Sequence, residues 1–591
     1  MVVLKGDSKL AHKSGVLSVP DEIRKLQPKG IPTLVKKIPS GKRYIYYVYE
    51  QTRIPDPKRP GKLKNGSGPC LGKIDPGSMT FIPNKKGLDR IPTDILSDSG
   101  VTPMQRLRYI DLETKDYGEY AMVLSCSSGV HRNLAAHFHQ EDADLMYAMG
   151  VVYFVESYTP AGYFSDVFEQ SVLSNKWPSA ETSENSLSEF LKSIGRHGRT
   201  CELYSQENID SGGELTAIDG HVVLSCSEFN DIADYGNKYA KIGGPQANLV
   251  EVFDVENNRP VACHAFDGGL LDKSSVAHMF EAYKFRGKTF LVDRGFYSET
   301  NLGLFRNGGN HFVTPVPDGT IIYSAASRHL EFSGAFTYDR ADSRGKALNG
   351  TILYREFTVQ ELEEDEIMYR EKKEDERYSQ EYTLWEQGAA DSDGRKIRKP
   401  RHRKTKQIER SAYAQDRVFL YRDEAVHAAM VCEYRAKIGS SPEYTEENLA
   451  EIEASFGVFV LRTDRIDRDA QATYTSYKKR WKIETHYNFL KNSVDFKGLH
   501  TQDYYVLQGL AFLALIVGQI QSAYIQRLKE AESTYVKNLS VKESLVKGAH
   551  IKIAKHQDNK WYITKPKKKT SELLEAMGVN IEAEIESLNK E

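Results

Sequence analysis

Hydrophobic and polar positions change period several times along this chain, and the changes mark out six stretches. Over residues 1–95, apolar and aromatic residues come in short runs, RYIYYVYEQT and PCLGKI, which predict β-strands. RIPDPKRPGKLKNGSG between them shows no apolar period and reads as a turn region. Over 96–210 apolar residues recur at three- and four-residue intervals, as in HRNLAAHFHQEDADLMYAMGVVYFVE, so this stretch reads as helical, and Ser183 marks a helix start in SENSLSEFLKSIGRHG. Residues 211–316 alternate: ELTAID, NLVEVFDVE and PVACHAF as strands, SSVAHMFEAYKF as helix, TFLVD as strand, NLGLFRN as helix and HFVTPV as strand. That order predicts an α/β core with helices covering a sheet.

The core pattern is then interrupted. Over 317–455 the runs TIIYSAA, GAFTYD, ILYREFTV, RVFLYRDE and AAMVCEYR read as β, which predicts an insertion of mainly β character. Inside it lie the charged tract ELEEDEIMYREKKEDERYSQEY, expected to be solvated or disordered, and the basic block RKIRKPRHRKTK. FGVFVLRTD resumes the core, whose second part spans 456–525. The most apolar run, VLQGLAFLALIVGQI at 506–520, is short for a membrane span and contains two glutamines, so it reads as a buried core helix and no membrane partner is expected. The tail, 526–591, reads as a small hairpin, a basic turn and a terminal amphipathic helix.

With 591 residues there is room for three or four domains. Net charge is only −2, so any nucleic-acid surface must come from local patches. Two are visible. Residues 36–64 hold nine Lys or Arg interleaved with Tyr44, Tyr46, Tyr47 and Tyr49, which suits either DNA-backbone contact or a solvated hairpin with tyrosines turned inward. Residues 395–406 hold eight Lys or Arg and no acid. Six cysteines without a CxxC pair argue against a zinc ribbon or disulfide framework and for a reducing, cytoplasmic setting. The N-terminal MVVLKGDSKLAHKSG lacks the apolar stretch of a signal peptide.

Candidate chemistry sits at three places. Asp219 and Asp293 each follow a strand-like run and precede a glycine turn, AIDG and VDRG, where a carboxylate is exposed on rigid backbone. Either alone could simply end a strand. The third place is YKKRWKIETHYNFLK, where Tyr477, Arg480, Glu484 and Lys491 are spaced to share one face of a single helix. Such a row suits phosphate chemistry: the acid can hold a metal while the cations grip phosphate oxygens. Asp267 and Asp272 are competing carboxylates, explained by turn and capping roles.

The Tyr-x2-Arg-x3-Glu-x6-Lys pattern resembles the YREK signature of bacterial insertion-sequence transposases of the DDE type, an IS4-like superfamily. VDRGFYSETNL is similar to that superfamily's second-aspartate motif and AIDG to its first, although His221 stands where many relatives have Thr. The resemblance implies a ribonuclease-H-like catalytic core, split by the insertion, after an N-terminal β-arm and a helical DNA-binding or dimerisation region. It implies that Asp219, Asp293 and Glu484 are catalytic and hold Mg²⁺, with Mn²⁺ as substitute, and that Tyr477, Arg480 and Lys491 contact DNA. The implied partners are terminal inverted repeats and target DNA, bound by a homodimer. The implied reaction is strand cleavage and transfer through hairpin ends, with Trp385 or Trp481 as aromatic candidates to receive a displaced base. The alternatives are another two-metal nuclease, or an inactive, transposase-derived DNA-binding protein.

Overall fold

The structure, a computed structural model, describes residues 18–40, 43–59, 61–91, 113–157, 159–227, 244–268, 272–341, 347–389, 395–404, 407–493, 498–499, 501–556 and 558–590. The start of the expected helical region at 96–112, and Thr405 and Lys406 of the basic block, lie outside them. The chain divides into two compact units, Met1–Leu112 and Glu113–Glu591.

The first unit is an antiparallel sheet, β1 (Thr33–Ser40), β2 (Arg43–Pro55), β3 (Leu63–Asp75) and β4 (Thr80–Pro83), paired in that order. The turn region expected from the sequence is shorter than RIPDPKRPGKLKNGSG, because both of its ends pair: Pro55 lies opposite Leu63 and Thr52 opposite Gly66. Only Tyr46 of the four tyrosines is buried. Lys37 lies over the Tyr44 ring at 4.0 Å and Lys36 over Tyr49 at 5.0 Å, so cations and aromatics share this surface.

The second unit opens with a short strand, β5 (Thr114–Asp116), and a helical block whose principal helices are Gly118–His137, Gln140–Val155, Glu184–Arg196 and Gly198–Asp210. Ser183 does cap its helix, its side chain accepting from Ser186 N at 3.3 Å. A mixed sheet follows, built from β6 (Leu215–Ser225), β7 (Gln246–Asp254), β8 (Arg259–Asp267), β9 (Thr289–Val292) and β10 (His311–Pro315), with β11 (Gly334–Ala341), β12 (Ala347–Thr358), β13 (Arg417–Asp423) and β14 (Val458–Thr463). Its spatial order is β11-β12-β13-β14-β10-β9-β6-β7-β8, and β15 (Gly498–Leu499) adds to β6. The segment 211–316 thus has the strand and helix order read from its sequence. Strands β7 and β9 are buried at every position, as their near-continuous apolar text requires.

Residues 317–455 differ from the expectation. β11, β12 and β13 are there, but they extend the same sheet. TIIYSAA forms the helix Ile321–Ser327, capped by Thr320, and AAMVCEYR belongs to the helix Glu424–Lys437, capped by Asp423. The charged tract is neither disordered nor bare: it forms the 28-residue helix Val359–Glu386, opened by a capping box between Thr358 and Glu361. Arg328 pins its first turns by ion pairs to Asp365 and Glu366, both at 2.7 Å.

The helix Tyr504–Glu530 is long and apolar enough to cross a membrane, yet 78% of its most apolar window is buried inside the protein. Its glutamines are satisfied there. Gln508 donates to Ala265 O at 2.7 Å and accepts from Ala265 N at 3.3 Å, closing the edge of β8. Gln519 accepts from the Tyr204 hydroxyl at 2.5 Å and donates to Pro260 O at 3.1 Å. In the tail, β16 (Lys552–Lys555) and β17 (Trp561–Ile563) form the expected hairpin, and β16 also pairs with β5.

Candidate active site

Strand β6 carries Asp219 and β9 leads into Asp293. The two strands run parallel with Ile218 paired to Val292, so the aspartates follow one residue later on neighbouring strands. Asp293 leaves the sheet at that point and caps a short 3₁₀ turn, its Oδ1 accepting from Arg294 N at 2.8 Å. Asp219 does not end a strand, as its sequence suggested; β6 continues to Ser225 because β7 pairs with it through Leu224 and β15 joins it at Leu224 and Ser225. The Asp219 carboxylate accepts from Gly220 N at 2.9 Å, and its carbonyl accepts from the Tyr487 hydroxyl at 2.8 Å. The His221 ring stacks on Tyr487, centroids 5.2 Å apart.

The row of Tyr477, Arg480, Glu484 and Lys491 is not on one helix. Tyr477 ends the helix Ala470–Lys478, while Glu484 and Lys491 lie on the helix Trp481–Ser493. Between them the chain tightens into i→i+3 bonds, Arg480 N to Tyr477 O, Lys482 N to Lys479 O and Ile483 N to Arg480 O. Arg480 sits at this break and turns toward the sheet. Its Nη1 donates to Asp219 Oδ2 at 3.1 Å, and its Nη2 makes a short bond with Glu484 Oε1. The structure therefore brings Asp219, Arg480 and Glu484 into contact, with Asp293 and Tyr477 close enough to couple electrostatically. Lys491 stands apart, exposed two turns beyond Glu484 and without an ion pair among the described residues.

The electrostatics follow from burial. Asp219 is pushed up to about 6, first because it is buried; Arg480 and the Gly220 N–H oppose the shift, and the Asp293 and Glu484 charges add to it. Burial pushes the Tyr477 phenol up to about 12, so it keeps its proton. Three carboxylate oxygen donors suit a hard divalent cation. Among the described residues, however, no three His, Cys, Asp or Glu side chains stand together ready to hold a metal. The positive charge between Asp219 and Glu484 is instead that of Arg480.

Three contributors escaped the sequence reading. Tyr487, three residues after Glu484, ties the catalytic-helix candidate to the backbone of Asp219. Glu251 and His486, 1% and 4% exposed, form a buried pair at 3.3 Å between β7 and the same helix. An acid inside the apolar run NLVEVF was the available signal for Glu251. Asp219 and Glu251 are cross-strand partners on one face of the sheet.

On the mixed sheet, then, Asp219 of β6 is joined to Glu484 of a helix through Arg480, with Asp293 following the neighbouring strand β9. The Transposase DDE domain family matches residues 210–517, just over half of the chain and the part that holds all of these residues. The chain belongs to that family: it is a DDE transposase. Among solved structures, a piggyBac transposase synaptic complex with hairpin DNA is similar, with a TM-score of 0.32, 10% identity, and 72% of this chain and 77% of that chain covered. No curated protein matches the chain.

Proposed function

We propose that this transposase cuts and rejoins its own element's DNA with Asp219, Asp293 and Glu484 as the catalytic carboxylates. In this reading the sheet segment of 211–316 and 456–525 is a ribonuclease-H-like core of the IS4-like, YREK-bearing type. The observation that carries it is the meeting of three separate sequence segments: Ile218 and Val292 in register, and Arg480 joining Asp219 to Glu484.

The carboxylates would hold Mg²⁺, or Mn²⁺ in its place. Bound divalent cations supply Lewis acidity, lowering the pKa of an attacking water and offsetting charge on the leaving 3′-oxygen. The chain's own residues do the rest. Arg480, which holds Asp219 and Glu484 together, would offer its guanidinium to a phosphate oxygen of bound DNA. Tyr477, protonated at neutral pH, donates its hydroxyl to the same strand. Lys491 lies about 10 Å further along its helix, seven residues at 1.5 Å each, and so would grip a flanking phosphate rather than the scissile one. Tyr487 keeps the Asp219 backbone fixed while its side chain changes partners.

The DNA partners in this reading are the terminal inverted repeats and the target duplex, engaged by a homodimer in a cytoplasmic setting. Cleavage through hairpin ends needs an aromatic acceptor for a displaced base. Trp481, 55% exposed and next to Arg480, is better placed for that than Trp385, which stacks with Lys399. The test is a time course on the element's end DNA with Mg²⁺, resolved on denaturing gels. Hairpinned ends that appear and then open support the scheme; flush open ends at every time point contradict the hairpin step, and no cutting of bound DNA contradicts the enzyme.

A further inference from the structure

The basic block does not float beside the acidic helix Val359–Glu386; it is laid along it as an extended ribbon over residues 395–404. What the helix holds is chiefly the ribbon's main chain. Arg377 Nη2 donates to the carbonyl of Arg401 at 3.2 Å, and the backbone N–H of Arg403 donates to Glu374 Oε1 at 2.6 Å. Arg377 is itself braced by Glu374 and by Glu381, the latter at 2.6 Å. Two side chains dock as well: the His402 ring stacks on Tyr378 at 3.9 Å, and Lys399 lies over Trp385 at 5.3 Å. Pro400 is buried.

The remaining charges point elsewhere. Lys396, Arg398, Arg401 and Lys404 are all exposed, and none forms an ion pair among the described residues. The helix acids reach two ribbon side chains, Arg403 at 3.9 Å from Glu381 and His402 at 3.7 Å from Asp375, but the shorter bonds go to the ribbon's carbonyl and N–H groups and leave Lys396, Arg398, Arg401 and Lys404 exposed. Fixing a polycationic strand against its own repulsion costs free energy, which the Arg377, Glu374 and Tyr378 interactions offset.

We propose that the helix is a splint and the 395–404 ribbon a preformed docking strip for the phosphate backbone of duplex DNA. The strip lies outside the carboxylate site and reads no sequence; it adds affinity through counterion release. It rests on the reading of this chain as a DNA-processing enzyme, and its test separates the two.

Binding of the full chain to a mixed-sequence duplex is measured against salt concentration for the wild type and for Lys396→Ala/Arg398→Ala/Arg401→Ala/Lys404→Ala. Every phosphate left without its cation flattens the plot of log K against log salt by about 0.9, so the fourfold variant should lose about three to four units of slope. Arg377→Ala, which frees the ribbon but keeps its charges, should weaken binding with little change of slope. An unchanged slope and affinity in the fourfold variant, while the wild type still cuts end DNA, overturns the strip alone. Loss of self-association with DNA binding intact would assign the ribbon to a protein interface and also overturn it. No salt-dependent duplex binding by the wild type overturns both the strip and the DNA reading beneath it.

Discussion

Arg480 Nη1 lies 3.1 Å from Asp219 Oδ2, while its second nitrogen holds Glu484. One side chain thus joins a strand residue to a helix residue 265 positions later. Without that charge, the Asp219 and Glu484 carboxylates would repel one another in a partly buried site.

Replacing Arg480 by Ala should therefore do more than remove a DNA contact. It raises the proton affinity of Asp219, and it deletes a donor from the developing transition state. Loss of one preorganised donor of this kind costs about 10²–10³ in rate. Single-turnover cleavage of end DNA should fall by that order, and Arg480→Lys should recover only part, because an ammonium cannot bond both acids in the same fork.

The raised proton affinity of Asp219 sets a pH limb. With its midpoint near 6, the carboxylate is neutral in acid and ionised at neutral pH, so cleavage should climb through pH 6 and level off above it. Added Mg²⁺ competes with the proton and should move the midpoint down. For stability the sign is opposite. The folded chain binds this proton more tightly than the unfolded chain, whose aspartate titrates near 3.8, so the group's contribution is fully present below that value and is lost as pH rises toward about 6. Urea unfolding of wild type and Asp219→Asn across pH 4–7 checks this: the variant should lose part of the wild-type slope, the remainder coming from other buried acids such as Glu119.

Glu251 and His486 form a buried pair two residues along from Glu484. The 3.3 Å contact is not an aligned hydrogen bond, and removing one partner leaves the other's buried polar group alone, at a cost of about 1–3 kcal/mol. Glu251→Ala should lower the urea midpoint accordingly. It should also reduce cleavage more than DNA binding, because the helix bearing Glu484 loses an anchor to β7.

Gly195 and Gly509 let two helices touch through their backbones. A Cβ on Gly509 would stand 2.1 Å from Leu191 O, and one on Gly195 would stand 1.9 Å from Tyr505 O. Neither carbonyl can step aside without moving its helix. Gly509→Ala should destabilise the fold by about 1–3 kcal/mol, as overpacking does elsewhere, despite the better helix propensity of Ala. Thermal unfolding of the variant measures it.

Much of this arrangement was written locally in the chain. Runs such as TFLV and, apart from Asn248 and Glu251, NLVEVF are apolar because their strands are buried on both faces, and the aspartates stand where such runs meet glycine. The run at 506–520 lies in a largely buried helix, as read, and its two glutamines, Gln508 and Gln519, each bond a backbone carbonyl. What the sequence withheld depends on distant partners. The spacing of Tyr477, Arg480 and Glu484 fits a continuous helix, whereas the chain tightens there where Arg480 reaches across to Asp219. The acidic tract looked solvated because some of its partners, Arg328 and the main chain of the 395–404 ribbon, lie outside it. TIIYSAA and AAMVCEYR are short apolar runs that strands and helices share, and the caps Thr320 and Asp423 were the better guide.

The central claim is that Asp219, Asp293 and Glu484 act as one catalytic centre. The most direct measurement is Mg²⁺-dependent cleavage of the element's end DNA by the wild type beside Asp219→Asn, Asp293→Ala and Glu484→Ala, with DNA binding measured on the same preparations. The account predicts that each substitution abolishes cutting while the protein still binds the end duplex. End-specific cutting that survives Asp293→Ala or Glu484→Ala would contradict it and place the chemistry elsewhere in the chain.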